Sequence, residues 1–384
     1  MIKVACLLGS LNRGGTETLL LDVFRNADKA SYEMIGIHRK GGAYQEDFYA
    51  AGPKMVKCAP KRFGWIRYLV QLRQLLKQEN VTIVHAQQSI DCVYARLATI
   101  GTDIRVVETF HGFDFHAGRF NKWINWLSIR MADAVCFVSK TQRDYYIRAY
   151  GIKKTDKLYV VYNGIDFSKF DKEYPKPEFL SGVGCKVYGV KERLKLCMVG
   201  NFVHTRDQKV IVEALRIIDD RLKMIDKPHI DFYFVGRRDE KEPWRFDECV
   251  KYCEEHGIMN VHFVGGRGDV PAILQHMDAF VYATAHDTFG IAVVEALANG
   301  LPVIVNDWEV MREVTHDGEW AKLYKTGDSE DCARAIGQLL EHLSKEKRKA
   351  TEIALKVRAE YSIERHIERL AEMYGYVLHE RVKG

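Results

Sequence analysis

The segment Ala285-His-Asp287-Thr288-Phe289-Gly290-Ile-Ala-Val-Val-Glu295-Ala-Leu-Ala-Asn-Gly300-Leu-Pro302 sets two carboxylates around the start of an apolar run. Asp287 precedes the run and Glu295 lies about two turns into it, if the run is a helix of 3.6 residues per turn. Gly300 and Pro302 then end it, as a left-handed cap and a following proline end a helix. Among Val293, Val294, Ala296 and Leu297, a carboxylate needs hydrogen-bonding partners. Hydroxyl groups of a ribose or hexose would supply them.

Three further loops carry groups suited to the same kind of ligand. Gly9-Ser-Leu-Asn-Arg-Gly14-Gly15-Thr16 has P-loop-like spacing, but Gly15 occupies the position of the P-loop lysine, which rejects a Walker A site. The G-x-G-x-x-G spacing of a dinucleotide fingerprint is absent too. What remains is Gly14-Gly15 ahead of a helix, where bare backbone N–H groups can meet a phosphate; a plain tight turn explains the pair equally well. His111, in Thr109-Phe-His111-Gly112-Phe-Asp114, follows a strand and is placed either to bind a polar ligand or to serve structure. Gly200-Asn201-Phe-Val-His-Thr-Arg206-Asp-Gln-Lys209 sets two cations at a helix start, where the dipole prefers acids. That misplacement points to an anionic ligand, with a solvated surface turn as the alternative.

The elements that position these loops alternate along the whole chain. Strands are predicted at Lys3–Leu8, Tyr32–Ile37, Val81–His85, Arg105–Phe110, Ala134–Val138 and Leu158–Val161, with amphipathic helical patterns between them. The pattern restarts with strands at Leu194–Val199, Asp231–Val235, Val261–Val264, Ala279–Ala283 and Pro302–Val305. Alternation of this kind implies βαβ units and parallel sheets. Each candidate loop follows a strand, where open α/β sheets bind ligands. The 384 residues exceed a single core of about 250–300 residues, so the fold class is α/β with two Rossmann-like domains. The join is expected within Phe167–Arg193, rich in Pro175, Pro177, Gly182, Gly184 and Gly189. Ser362 is a candidate cap for a last helix carrying Ile363, Ile367, Leu370, Met373, Tyr374 and Val377 at helical spacing.

Hydrophobic residues at 47% and charged residues at 28% suit a globular protein and exclude collagen-like or disordered classes. No apolar run approaches the ~18 residues of a membrane span. The first residues read as a strand rather than a signal peptide. The nine cysteines are scattered, without a CxxC pair, which argues for a reducing compartment and against structural zinc. The expected location is cytoplasmic. Residues 1–178 hold 27 Lys+Arg against 18 Asp+Glu, whereas the remainder holds 30 against 34. The first half therefore faces something anionic: nucleic acid, a phosphorylated substrate or an acidic membrane.

Taken together, these motifs resemble the large retaining glycosyltransferase family 4. Segment 285–302 resembles its E-x7-E motif, and Gly14-Gly15-Thr16-Glu17 its G-G-x-E. His111-Gly112, Val138-Ser139, Asn163-Gly164-Ile165-Asp166, Gly200 with Arg206, and Gly265-x-Arg267-x-Asp269-Val270 follow in family order. The likeness is greatest to bacterial exopolysaccharide, capsule and lipopolysaccharide transferases. It implies a GT-B fold: two Rossmann-like domains facing across a cleft, with the C-terminal helix crossing back to the first domain. Residues 1–180 with 363–384 would bind the acceptor and 181–362 the nucleotide sugar.

The resemblance also implies roles. Arg206, Lys209 and backbone N–H groups at Gly15, Phe289 and Gly290 would hold the diphosphate, with Gly14, Gly200, Asn201 and Thr288 beside it. Asp287 would accept from sugar hydroxyls, Glu295 from the ribose, and His111 would contact the donor sugar; Arg267 would lie near the base. Two departures are evident: Asp287 stands for the usual Glu, and Asn201 for the usual arginine. The implied reaction moves a hexose-type sugar, UDP-sugars favoured, to a glycan or lipid-linked acceptor, with no metal and no cofactor beyond the donor substrate. Arg62, Trp65, Arg67, Tyr68, Arg73 and Lys77, and then Arg119, Lys122, Trp123, Trp126 and Arg130, form basic aromatic stretches suited to an anionic inner-membrane surface. An epimerase on the same fold would turn over donor without acceptor. A nucleic-acid module would bind salt-sensitively and ignore nucleotide sugars; the paired acids at 287 and 295 argue against nucleic acid as the partner.

Overall fold

The computed structural model describes residues 2–60, 64–181, 193–222 and 230–379; Arg62, Gly182, Gly184, Cys185 and Gly189 lie outside them. In chain order the elements begin β1 (Lys3–Leu8), α1 (Gly15–Arg25), β2 (Glu33–His38), α2 (Gln45–Ala50), β3 (Lys54–Lys57), α3 (Trp65–Gln78), β4 (Ile83–Ala86), α4 (Ser89–Thr99) and β5 (Arg105–Phe110). Then come α5 (Arg119–Met131), β6 (Ala134–Phe137), α6 (Lys140–Tyr150), β7 (Leu158–Val160) and α7 (Glu178–Ser181). The second series is β8 (Leu194–Val199), α8 (Gln208–Leu222), β9 (Ile230–Val235), α9 (Trp244–Glu255), β10 (Val261–Phe263), α10 (Val270–Leu274), β11 (Ala279–Tyr282) and α11 (Ile291–Ala298). It closes with β12 (Val303–Asn306), α12 (Glu309–Val314), β13 (Lys322–Tyr324), α13 (Ser329–Glu341), α14 (Leu343–Tyr361) and α15 (Ile363–His379).

The chain divides into two compact units, Met1–Asp166 with Tyr361–Gly384, and Phe167–Glu360. Residues Phe167–Ser181 thus cluster with the second unit.

In the first unit a seven-stranded sheet runs in the order β3-β2-β1-β4-β5-β6-β7, with every pairing parallel. Side chains alternate across a strand, and β1 uses both faces. Val4, Cys6 and Leu8 pack with Leu19, Leu20, Ile367, Leu370 and Tyr374 of α1 and α15. Ala5 and Leu7 pack with Leu72, Cys92, Ala95 and Ile129 of α3, α4 and α5. The expected return of the last helix is observed. Ile165 N–H donates to Tyr361 O at 2.9 Å, Ile363 N–H donates to Ile165 O at 3.0 Å, and a Cβ on Gly164 would lie 2.5 Å from His366 Cβ. Ser362 Oγ accepts from Arg365 N–H at 3.2 Å, the predicted cap.

The second unit holds a six-stranded parallel sheet, β10-β9-β8-β11-β12-β13. In each sheet the order reverses at one point, between β1 and β4 and between β8 and β11. The carboxyl ends of the strands flanking such a point form the natural ligand crevice of an open sheet.

Candidate active site

The site of the second unit grows from the two loops at its switch point. Thr284, just past β11, is clamped to the end of β12: its N–H donates to Asn306 Oδ1 and its carbonyl accepts from Asn306 Nδ2, both at 2.9 Å. Its hydroxyl donates to Thr205 O at 2.6 Å, and Arg206 forms a β-bridge with it. The β8 and β11 loops are thereby sewn together, and Arg206 meets Asp287. Arg206 Nη2 lies 3.0 Å from Asp287 Oδ2, which also accepts from the buried Tyr282 hydroxyl at 2.9 Å. Arg206 Nη1 donates to Thr205 O at 3.2 Å and to its hydroxyl at 3.1 Å, and the guanidinium carbon lies 5.3 Å from the Tyr282 ring centre.

Burial works against the Arg206 charge, but the neighbouring Tyr282 and Asp287 outweigh it and leave its pKa raised. Burial pushes the Tyr282 phenol far up, so Tyr282 stays a donor to the carboxylate.

Asp287 Oδ1 accepts from Thr288 N–H at 2.8 Å and, at 3.4 Å, from Phe289 N–H. The carboxylate assigned from the sequence to sugar hydroxyls therefore already has internal partners and fixes the Arg206 guanidinium. Gly290 begins α11 at φ +83°, a left-handed conformation; a Cβ there would also lie 2.7 Å from Met311 Cε. Glu295 lies on α11, but its neighbours Val293, Val294, Ala296 and Leu297 turn into the core while Glu295 stays partly exposed. The run of apolar neighbours had suggested an enclosed carboxylate.

The remaining predicted residues are distributed around this centre. A Cβ on Gly200 would lie 3.4 Å from Arg206 Nε. The Gly200 and Asn201 carbonyls accept from Gln208 Nε2 at 3.3 and 3.0 Å. Lys209 pairs with Glu248 of α9, so its charge is spent within the second unit. Arg267 is exposed and pairs bidentately with Asp269 at 2.8 and 2.7 Å.

In the first unit, Gly14 precedes α1 with an ordinary extended backbone, and a Cβ on it would meet Glu17 Oε2 at 2.5 Å. Gly15 is exposed at the helix start. His111 follows β5, and its Nε2–H donates to Gln87 Oε1 at 2.7 Å. Burial, aided by nearby His366, lowers its pKa to about 4, which keeps the imidazole neutral. The next carbonyl, of Gly112, accepts from Gln142 Nε2 at 2.9 Å and from the Tyr146 hydroxyl at 3.0 Å. Ser139 caps α6 by accepting from Gln142 N–H at 3.2 Å. The Val-Ser pair thus anchors the helix that holds the histidine loop.

Sequence reasoning missed Tyr282, Thr205, Asn306 and Gln208. The available signal was slight: a phenol closing an otherwise apolar strand, and amides and hydroxyls at strand ends.

Two parallel-sheet Rossmann-like units, each with polar loops at its switch point, are the components of the GT-B fold. Residues 13–169 match Glycosyltransferase Family 4 and residues 186–357 match Glycosyl transferases group 1. The chain belongs to the family 4 glycosyltransferases. It is 25% identical, over 73% of each chain, to an N,N'-diacetylbacillosaminyl-diphospho-undecaprenol alpha-1,3-N-acetylgalactosaminyltransferase of Campylobacter jejuni. It is 26% identical to the N-acetyl-alpha-D-glucosaminyl L-malate synthase of Bacillus anthracis, over 70% of this chain and 68% of that one. The fold matches that of Anabaena HepE in complex with UDP and glucose, with TM-score 0.80 and 19% identity over 98% of this chain and 100% of that one.

Proposed function

We propose that the chain is a retaining glycosyltransferase that moves a hexose-type sugar from a UDP-sugar to a lipid-linked or glycan acceptor in cell-surface polysaccharide synthesis. The observation that carries this reading is the Arg206–Asp287–Tyr282 constellation at the switch point of the second unit. Departure of the nucleotide builds negative charge on the β-phosphate. A guanidinium with a fixed pose meets that charge without reorganising. Backbone N–H groups from Gly290 onward add donors at the start of α11. This charge is met by cations and N–H groups rather than by a metal, and no cofactor enters. Neutral His111 hydrogen-bonds the donor sugar, and Glu295 the ribose. No side chain is assigned as nucleophile; the departing phosphate takes the acceptor's proton.

The diphospho-undecaprenol relative supports a lipid-linked acceptor, and the UDP complex of HepE supports a uridine donor. A second reading, a small soluble acceptor, is favoured by the L-malate synthase relative. The exposed faces of α3 and α5 favour the lipid. Trp65 is 55% and Trp123 52% exposed, beside exposed Arg67, Lys77, Arg119 and Lys122. Tyr68 does not share that face, since it is buried, and Arg73 Nη1 is engaged by the Ala98 and Ile100 carbonyls.

The test incubates the chain with UDP-hexoses and UDP-N-acetylhexosamines, each with a polyprenyl-diphosphate sugar or a free glycan. The product's anomeric coupling is read by NMR. Formation of an α-linked lipid product from an α-linked donor is expected. An inverted linkage would refute retention, and transfer only to soluble acceptors would support the second reading.

A further inference from the structure

Of the cationic side chains that follow the carboxyl ends of β8, β9 and β10, four are already paired with carboxylates. Arg206 pairs with Asp287 at 3.0 Å, Lys209 with Glu248, Arg238 with Asp247 at 2.7 Å, and Arg267 with Asp269 at 2.7 Å. Arg237, two residues past β9, is exposed and has no carboxylate partner among the described residues. A dianionic ligand entering this edge finds its least compensated positive charge at an unpaired cation.

The backbone of Arg237 is firmly anchored. Its N–H donates to Asn201 Oδ1 at 3.0 Å, and its carbonyl accepts from Phe202 N–H at 3.0 Å. Gly236 before it is pressed onto the β8 end so tightly that a Cβ would lie 2.0 Å from Gly200 O. The stem of Arg237 lies across Gly266, where a Cβ would come within 2.2 Å of Arg237 Cγ. The Gly200-Asn201 turn thus touches the Arg206 side chain through Gly200 and the Arg237 backbone through Asn201. Asn201, which stands where an arginine was expected, holds the backbone of a different arginine.

We propose that Arg237, positioned by Asn201 and Gly266, is a donor-binding residue that supplies the unpaired cation for the donor's diphosphate, in place of the cation missing at position 201. The proposal rests on the reading that the second unit binds a nucleotide diphosphate sugar. It predicts that Lys209 is not the substitute.

Calorimetry of the full chain with UDP, GDP, ADP and UMP tests it. For the best-bound diphosphate, Arg237→Gln is expected to weaken binding about tenfold and to flatten its salt dependence, with a smaller effect on UMP, which lacks the second phosphate. Arg237→Lys should recover most of the loss. Gly266→Ala, which displaces the stem, should reproduce part of it. Arg238→Gln, one residue along but paired, should bind as wild type. Binding by Arg237→Gln within twofold of wild type, while Arg206→Ala is weakened, overturns the proposal and leaves the donor reading standing. Equal loss of UMP and UDP affinity also overturns it, because the contact would then be to the nucleoside. Failure of wild type to bind any of the three diphosphates overturns both.

Discussion

Arg206 and Lys209 sit three positions apart in the sequence, yet their surroundings separate them. Arg206 is held by Thr205, Asp287 and Tyr282, whereas Lys209 is tied to Glu248. Phosphate charge grows toward the transition state, so Arg206→Ala is expected to lower kcat by about 100-fold while weakening donor binding far less. Equal kcat with a higher KM would deny Arg206 that role. Lys209→Ala should change either constant by no more than about threefold, since it removes an exposed ion pair of small worth. Glu295→Ala should weaken binding of the nucleotide diphosphate and leave the fold intact; unchanged affinity would remove it from the site. Strand-end position made Arg206, Asp287 and His111 candidates, and the family resemblance gave them roles. Tyr282 and Asn306 were out of reach because their importance lies in contacts between strand ends far apart in sequence, for which one chain offers no pattern.

Elements with strong apolar periodicity were legible, and those that carry little of it were not. The central strands and α15 follow their predicted runs closely. Edge strands β3 and β13 were missed, being Lys-Met-Val-Lys and Lys-Leu-Tyr; charge on an edge blunts the strand signal along with the edge itself. Helix α14 was missed because its Ser-Lys-Glu-Lys-Arg-Lys start reads as a solvated run. The turn into α11 at Gly290 sets a test. Gly290→Ala must adopt φ +83° and crowd Met311, which should cost about 1–3 kcal/mol of stability. Denaturant midpoints equal to wild type would show that the turn relaxes.

A second test concerns α15. His85 bonds Tyr374 of that helix at 2.6 Å, and His366 on it bonds Tyr162 O at 2.7 Å. Burial, with the neighbouring His111 and His366, lowers His85 to about 3. Burial also lowers His366 to about 4, the Tyr162 carbonyl opposing and Arg369 assisting. Both folded values lie below the unfolded one, so the unfolded chain binds more protons in acid. Stability is full above about pH 6.5 and falls as pH drops toward the folded values, by about 2 kcal/mol per histidine at pH 5. Urea denaturation at pH 7.5 and pH 5 measures this. His366→Asn should lessen the drop, and an unchanged drop would clear His366 of it.

At the scale of the whole chain, the restart of the β/α pattern and the charge asymmetry were both readable from sequence. The ends of the chain were legible only in part: helical spacing exposed α15, and the structure adds that Gly164 makes room for its start. No helix among the described residues is long and apolar enough to cross a membrane. The exposed tryptophans of α3 and α5, set among cations, predict reversible binding to anionic vesicles that is lost at high salt and absent with neutral ones. Replacing Arg67, Arg119 and Lys122 by Gln should abolish co-sedimentation without altering donor binding. Wild type that ignores anionic vesicles at low salt would leave the soluble acceptor as the better reading. Binding of the donor's nucleotide diphosphate at the switch point of the second unit is measured most directly by hydrogen–deuterium exchange with saturating UDP, GDP or ADP. Slowed exchange concentrated in residues 200–209 and 284–295 is the predicted result, and no slowing there with any of the three would contradict it.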